Sequence, residues 1–357
     1  MEKVAILTWC DNNGPTNYGQ ILQCYAMQYL VKSWGYEPFV VQYRRKDARD
    51  ICKYHFSNRS ALGRFLNEKY ERYYNIKVVE KKETIRVKRF KRFIEEHIVL
   101  SAPCYTKAMV EDMTKECTML VCGSDQIWNP VWFDPIFFLD FGTQSQKRIA
   151  YAPSGVFYDN ASNAAIYRRM ASLIEQLDEV SVRERRGQQI LARYTDKPIT
   201  VKVDPTYSVP VEEWDRIAAP RLLEEDYVFC YIIGAMRPWQ LILRKALEIC
   251  GVRKLIFIPS NIAVFQNFSF AETYEDAGPA EFISLIKHAK AVITDSFHGT
   301  VFSILYQKPF CNVKRYQPGT ESFGGGERIE GFLQEIGMES HSVCNVKELV
   351  ALWQNNK

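Results

Sequence analysis

Between Tyr227 and Asp295 the sequence alternates short apolar runs with longer amphipathic ones: YVFCYIIG, QLILRKALEIC, KLIFIPS, PAEFISLIKHA and KAVITD. The short runs have strand length, and the longer ones repeat their apolar residues at helical spacing. Strand, helix, strand, helix, strand in succession limits the chain to few folds. Each helix crosses over a sheet and brings the next strand in parallel, which gives an open α/β sheet covered by helices.

The first half follows the same rule. KVAILTW is a strand, a loop rich in Gly, Asn and Pro follows, GQILQCYAMQYLVKSW is an amphipathic helix, and EPFVVQY is a second strand. Gly35 stands where a left-handed residue ends that helix. CTMLVCGSDQIWNP, KRIAYAPSGVF, DEVSVRERRGQQILARY and ITVKVDPTYSV each begin with a strand and pass into a turn or helix. With 357 residues, two domains are expected. The N-terminal domain covers 1–208, a stretch with two prolines at 209–226 is the linker, the C-terminal domain covers 227–340, and a terminal helix occupies 341–357. Ligand-binding loops of such sheets lie at the carboxyl ends of the strands, in the cleft between the domains.

Composition narrows the function classes. Apolar residues make up 47% and charged residues 25%, the balance of a globular protein. Charged residues interrupt the longest apolar run, KAVITDSFHGTVFSILYQKPF, before the roughly 20 residues that a membrane-spanning helix needs. The N-terminal apolar stretch is too short for a secretory leader, so a cytoplasmic location is expected. Ten dispersed cysteines without a Cys-x-x-Cys pair point to reduced, buried thiols and no structural metal. A net charge of +4 favours anionic partners without naming one, and no nucleic-acid-binding motif accompanies it. The basic stretch RVKRFKRF reads as a solvated helical face with Phe90 and Phe93 inward, or as a patch for an anionic membrane surface.

Polar residues cluster at the strand ends. In ITDSFHGT a strand ends near Thr294 and a helix begins near Thr300, so Asp295, Ser296, His298 and Gly299 occupy the turn. Backbone N–H groups there can hold phosphate or carboxylate, and Gly299 lets an anion approach. His298 can donate to a phosphate oxygen or shuttle a proton, with Asp295 orienting it; the structural alternative is a helix capped by Asp295 or Ser296 beside a buried histidine. Asp125 in GSDQIW is a base, a hydroxyl-binding carboxylate or a turn cap. Arg183 is an anion clamp at a strand end or the partner of Glu184. Arg328 behind three glycines sits on a closing loop or at a helix start.

Read together, TNYGQILQCYAMQYLVKSWGYEPFVVQY, VCGSDQIWNP, SVRERRG, GPAEFISLIKHAKAVITDSFHGTVFSILYQKPF and RIEGFLQEIGM resemble the polysaccharide pyruvyltransferase family. The likeness runs from about Ile6 to Met338. It implies two Rossmann-like domains facing across a cleft, similar to the two-domain glycosyltransferase-B architecture. It also implies transfer of a pyruvyl group from phosphoenolpyruvate to sugar hydroxyls of a cell-surface polysaccharide or lipid-linked precursor, giving a cyclic ketal. Work at the inner face of the membrane is part of that implication; oligomeric state is not. No cofactor is required.

His298, Asp125 and Asp295 are then the expected catalytic residues. Arg183, Ser296, Gly299, Thr300 and Arg328 lie on the donor side, and Asn17, Tyr18, Ser124 and Gln126 on the acceptor side. The pattern departs at Ser296, where better-studied members carry an arginine that holds the donor's anionic groups. Arg328, Lys314 or Arg315 is the expected substitute. The alternative enzyme is a glycosyltransferase on the same scaffold, with DSFHGT binding a nucleotide-sugar phosphate. A glycan-binding protein without catalysis is the reading from another class.

Overall fold

The computed structural model describes residues 1–10, 17–44, 84–234, 239–259, 269–315 and 325–354. Most of the Gly-, Asn- and Pro-rich loop after the first strand, at 11–16, and the start of the triple-glycine loop lie outside them.

The N-terminal sheet has strands β1 (Lys3–Leu7), β2 (Glu37–Val40), β3 (Met119–Cys122), β4 (Lys147–Ala150), β5 (Glu179–Val182) and β6 (Thr200–Val201), in the order β2-β1-β3-β4-β5-β6. The C-terminal sheet has β7 (Tyr227–Tyr231), β8 (Lys254–Phe257), β9 (Ala271–Thr273), β10 (Ala291–Thr294), β11 (Phe310–Val313) and β12 (Ser342–Val343), in the order β12-β11-β10-β7-β8-β9. Every pairing in both sheets is parallel. The central strands β3, β7 and β10 are buried along their whole length, as helices on both faces require.

Helices α1 (Tyr18–Ser33), α2 (Ile85–His97), α3 (Lys107–Thr114), α4 (Ala164–Ile174), α5 (Arg185–Leu191) and α6 (Pro205–Ser208) belong to the first half of the chain. Then come α7 (Val211–Ile217), α8 (Gln240–Cys250), α9 (Pro279–Lys287), α10 (Phe297–Leu305), α11 (Gly325–Glu335) and α12 (Val346–Gln354). Gly35, at φ 91°, follows the end of α1 in the left-handed conformation expected for it.

Strand order reverses beside β1 in one sheet and beside β7 in the other, so the crevices above β1/β3 and β7/β10 are the topological switch points. The two halves meet through side chains the sequence reading had placed elsewhere. Arg86, expected on a solvated face or a membrane patch, is buried. It donates from Nε to Glu275 O at 2.7 Å and from Nη1 to Pro259 O at 2.8 Å, clamping α2 onto the second domain. Arg89 adds Asp276 O at 3.0 Å. Lys88, Lys91 and Arg92 of the same helix remain exposed. The segment 209–226 contains α7, whose fully buried Trp214 packs on Tyr25 at 5.5 Å and Phe302 at 4.8 Å between ring centroids. One apolar cluster therefore runs from Val4 of the first domain to Leu333 of the second. Residues beyond 340 extend the second sheet through β12 and bury Leu349, Leu352 and Trp353 of α12 against it. Among the described residues, no helix is long and apolar enough to cross a membrane.

Candidate active site

The polar groups at the two switch points converge. Asp125 follows β3, Arg183 follows β5, Asp204 follows β6, His298 follows β10 and Arg328 lies in the first turn of α11. Asp204, noticed in the sequence only as a turn before Pro205, is the hub. It is fully buried. Its Oδ2 accepts from Arg183 Nη1 at 2.8 Å and from Ser124 Oγ at 3.0 Å, and its Oδ1 accepts from the N–H and hydroxyl of Thr206.

Asp204 Oδ2 is also the carboxylate oxygen facing His298, 3.8 Å from Nε2 and across the domain boundary. That is too long for a hydrogen bond, and Nε2 is buried without a partner among the described residues. Burial lowers the pKa of His298 more than Asp204 raises it, so the imidazole is neutral near pH 7. Burial also opposes the charge on Asp204, but its charged neighbours and the Thr206 bonds outweigh it and hold the carboxylate ionised. Behind the ring stands Gly19, where a Cβ would come within 2.2 Å of Nδ1. Sequence reasoning noted a glycine-bearing loop there but assigned Gly19 no role.

Arg183 is a buried guanidinium with its donors committed. Nε reaches Glu184 Oε1 at 2.9 Å, Nη2 reaches Ser154 Oγ at 2.7 Å, and the group stacks 4.2 Å from the centre of the Phe297 ring. Burial opposes its charge, but Glu184 and Asp204 outweigh that and push its pKa up. The arginine pairs with Glu184, as the structural alternative expects, and it does so inside the cleft. Ser154 is shared, since Arg328 Nη1 donates to the same hydroxyl at 3.3 Å. Turned toward the guanidinium, the Gln126 amide oxygen lies 3.2 Å from both Arg328 terminal nitrogens. Burial and the neighbouring Arg183 push Arg328 down to about 10, although Glu184 and Asp125 pull the other way. Of the three candidates to replace the missing arginine, Lys314 pairs with Glu330 at 3.2 Å and Arg315 Nη2 donates to Asp295 O at 3.0 Å. Arg328 is the one that stands beside Arg183. A cavity of about 80 Å³ opens there, lined by Gly155, Phe157, Arg183, Asp204, Phe297 and Arg328 among others.

Several expected site residues do structural work instead. Helix α10 begins at Phe297, three residues before the expected start, so His298 and Gly299 lie in its first turn. Ser296 is the N-cap and accepts from Gly299 N at 3.3 Å. Thr300 is fully buried; its hydroxyl donates to Ser296 O at 3.0 Å and accepts from Asn312 Nδ2 at 3.2 Å. A Cβ on Gly299 would meet Thr294 Oγ1 at 2.5 Å, so the missing side chain makes room for the helix on its strand.

Asp295 does not orient His298 as expected. Its oxygens accept from Ile233 N at 2.6 Å and Gly234 N at 2.8 Å, pinning the turn after β7, and Asp204 takes the place facing the imidazole. Tyr18, placed on the acceptor side, is 1% exposed; it stacks on Phe282 at 4.5 Å and donates to Ala277 O at 2.7 Å. Asn17 is exposed and caps α1 through Gln20 N. Ser124 is fully buried; besides Asp204, its hydroxyl donates to Ala152 O at 2.7 Å. Asp125 stands at φ 62°, unusual for a residue with a Cβ, and its side chain makes no capping bond to the turn that follows. Among the described residues, no group of three or more His, Cys, Asp or Glu side chains is arranged to hold a metal ion.

No curated protein sequence matches the chain. Solved structures similar to it include a UDP-GlcNAc 2-epimerase from Methanocaldococcus jannaschii, 11% identical with TM-score 0.48, over 99% of this chain and 92% of that one. Another is the UDP-GlcNAc 2-epimerase of Neisseria meningitidis bound to UDP-GlcNAc, 9% identical with TM-score 0.47, over 100% of both chains. A glycosyltransferase from Streptomyces nogalater is 12% identical with TM-score 0.38, over 99% and 94%. The polysaccharide pyruvyl transferase family model matches residues 17–315, a span holding His298, Asp125, Arg183 and Asp204. By that match over most of its length, the chain belongs to the polysaccharide pyruvyl transferase family.

Proposed function

We propose that the protein transfers the pyruvyl group of phosphoenolpyruvate to two hydroxyls of a sugar in a polysaccharide or its lipid-linked precursor, forming a ketal. The carrying observation is the pair of arginines, Arg183 buried and Arg328 half-buried, that share Ser154 Oγ beside the neutral His298. A small trianion suits that arrangement because it offsets the mutual repulsion of two neighbouring guanidiniums, the repulsion by which Arg183 helps lower the pKa of Arg328.

In this reading Arg328 takes the donor's carboxylate or phosphate, and Arg183 keeps Asp204, Glu184 and Ser154 in place. Asp125 accepts the proton of the attacking sugar hydroxyl. Protonated His298 gives its proton to the methylene carbon of phosphoenolpyruvate, C2 becomes electrophilic, the hydroxyl oxygen bonds to it, and the proton taken by Asp125 restores the one His298 gave. The C2–O bond to phosphate then breaks. The second hydroxyl adds at C2 and its proton leaves with the phosphate, so atoms and charge balance. His298 contacts the phosphate and carries the proton, because an anion beside it favours the imidazolium form that burial alone disfavours. Peripheral contact with the inner face of a membrane belongs to the same proposal, with exposed Lys88, Lys91 and Arg92 as the cationic surface.

A thermal-shift series with phosphoenolpyruvate, nucleotide sugars and inorganic phosphate tests the donor. Phosphoenolpyruvate at about 100 times its dissociation constant should raise Tm by roughly 2 °C or more, and His298→Ala should lose that rise. A rise with nucleotide sugars alone would make the protein a glycosyltransferase and defeat the proposal.

A further inference from the structure

At the end of the second sheet opposite His298, where β10 and β11 begin, the second domain holds a cavity of about 510 Å³. That lies within the range of about 300–1,000 Å³ usual for small-molecule sites. Its apolar wall is formed by Ile304 at the end of α10, Phe310 of β11, Met338 and Trp353 of α12. Lys290 and Lys308 also line it. Six helical residues separate Ile304 from His298, a rise of about 9 Å, so this cavity is distinct from the candidate active site.

The charges around it do not balance. Lys290 pairs with Asp226 at 3.1 Å, a carboxylate that Arg221 also approaches at 3.6 Å, and Lys287 pairs with Asp215 at 2.7 Å. Lys308, half-buried at the cavity edge, has no carboxylate or carbonyl partner among the described residues. Burial and then the nearby Lys290, Arg221 and Lys287 lower its pKa. His341 closes one side, its ring stacked on Phe310 at 4.4 Å, with Nδ1 buried and without a partner among the described residues. An uncompensated ammonium beside an apolar wall has the chemistry that complements an anion carrying a hydrocarbon body.

We infer that this cavity binds a single-chain anionic amphiphile, its head on Lys308 and Lys290 and its chain against Ile304, Phe310, Met338 and Trp353. Neither free phosphate nor an uncharged chain satisfies both halves. The inference does not depend on the donor proposed above.

Isothermal titration of the full chain with octyl phosphate below its micelle concentration tests it, alongside inorganic phosphate and octyltrimethylammonium. Octyl phosphate should bind saturably at one site and the other two should not. Lys308→Glu should weaken binding about tenfold or more, and Ile304→Trp, which fills the cavity, should abolish it. Tm and near-ultraviolet circular dichroism of each variant establish folding. If octyl phosphate fails to bind, if phosphate alone or the trimethylammonium binds equally well, or if both folded variants bind like the native chain, the inference is wrong.

Discussion

At the residue scale, the account turns on Asp204, which binds Arg183, Ser124 and Thr206 and faces His298. Replacing Asp204 by Asn keeps the shape but leaves the Arg183 charge with Glu184 alone inside the protein. Breaking a buried pair in this way costs about 3 kcal/mol or more. The urea midpoint should fall accordingly; a change under about 0.5 kcal/mol would show that Arg183 does not depend on Asp204. His298, Asp125 and Arg183 stand out in the sequence as polar residues after apolar strands, and Arg328 as an arginine behind three glycines. Asp204 does not, since Asp-Pro reads as a turn and its role comes from contacts made by β3, β5 and β10. Gly19 was missed for the same reason: only packing shows that a Cβ there would strike the imidazole.

At the element scale, the alternating pattern predicted most of the strands and helices, and the buried runs of β7, β8 and β10 fall where their hydrophobicity placed them. Strands β9 and β12 do not show in the sequence, because their two or three residues make no apolar run, and β11 does not, because Phe310 falls at the end of the apolar run of the helix before it. The start of α10 moved because Ser296 caps it ahead of His298. Ser296→Ala should therefore cost about 1 kcal/mol of stability. Binding of phosphoenolpyruvate should stay within about twofold of native. If binding collapses while stability holds, Ser296 contacts the donor after all. Helix α2 shows the limit of charge patterning. Its arginines looked like surface groups, yet Arg86 and Arg89 find backbone acceptors in the other domain that no local rule could reveal.

For the molecule as a whole, two parallel sheets share one apolar cluster and direct their polar strand ends at each other. Burial on both sides of that boundary leaves a pH signature. His97, His288, His298 and His341 all have pKa values lowered chiefly by burial. The unfolded chain protonates these imidazoles near pH 6.5 and the folded chain only at lower pH. Their contribution to stability is therefore full above that pH and is lost as pH falls below it. Tm should drop between pH 7.5 and 5.5, and His298→Gln should flatten the slope; an equal slope in both proteins would mean that His298 titrates as an exposed group. The central claim is that an anionic donor sits between the domains on Arg328, beside His298. Calorimetric titration with phosphoenolpyruvate, comparing the native chain with Arg328→Gln, tests it most directly. The account predicts one site per chain, weakened about tenfold or more in the variant. Absence of binding to the folded native protein, or unchanged affinity in Arg328→Gln, would contradict it.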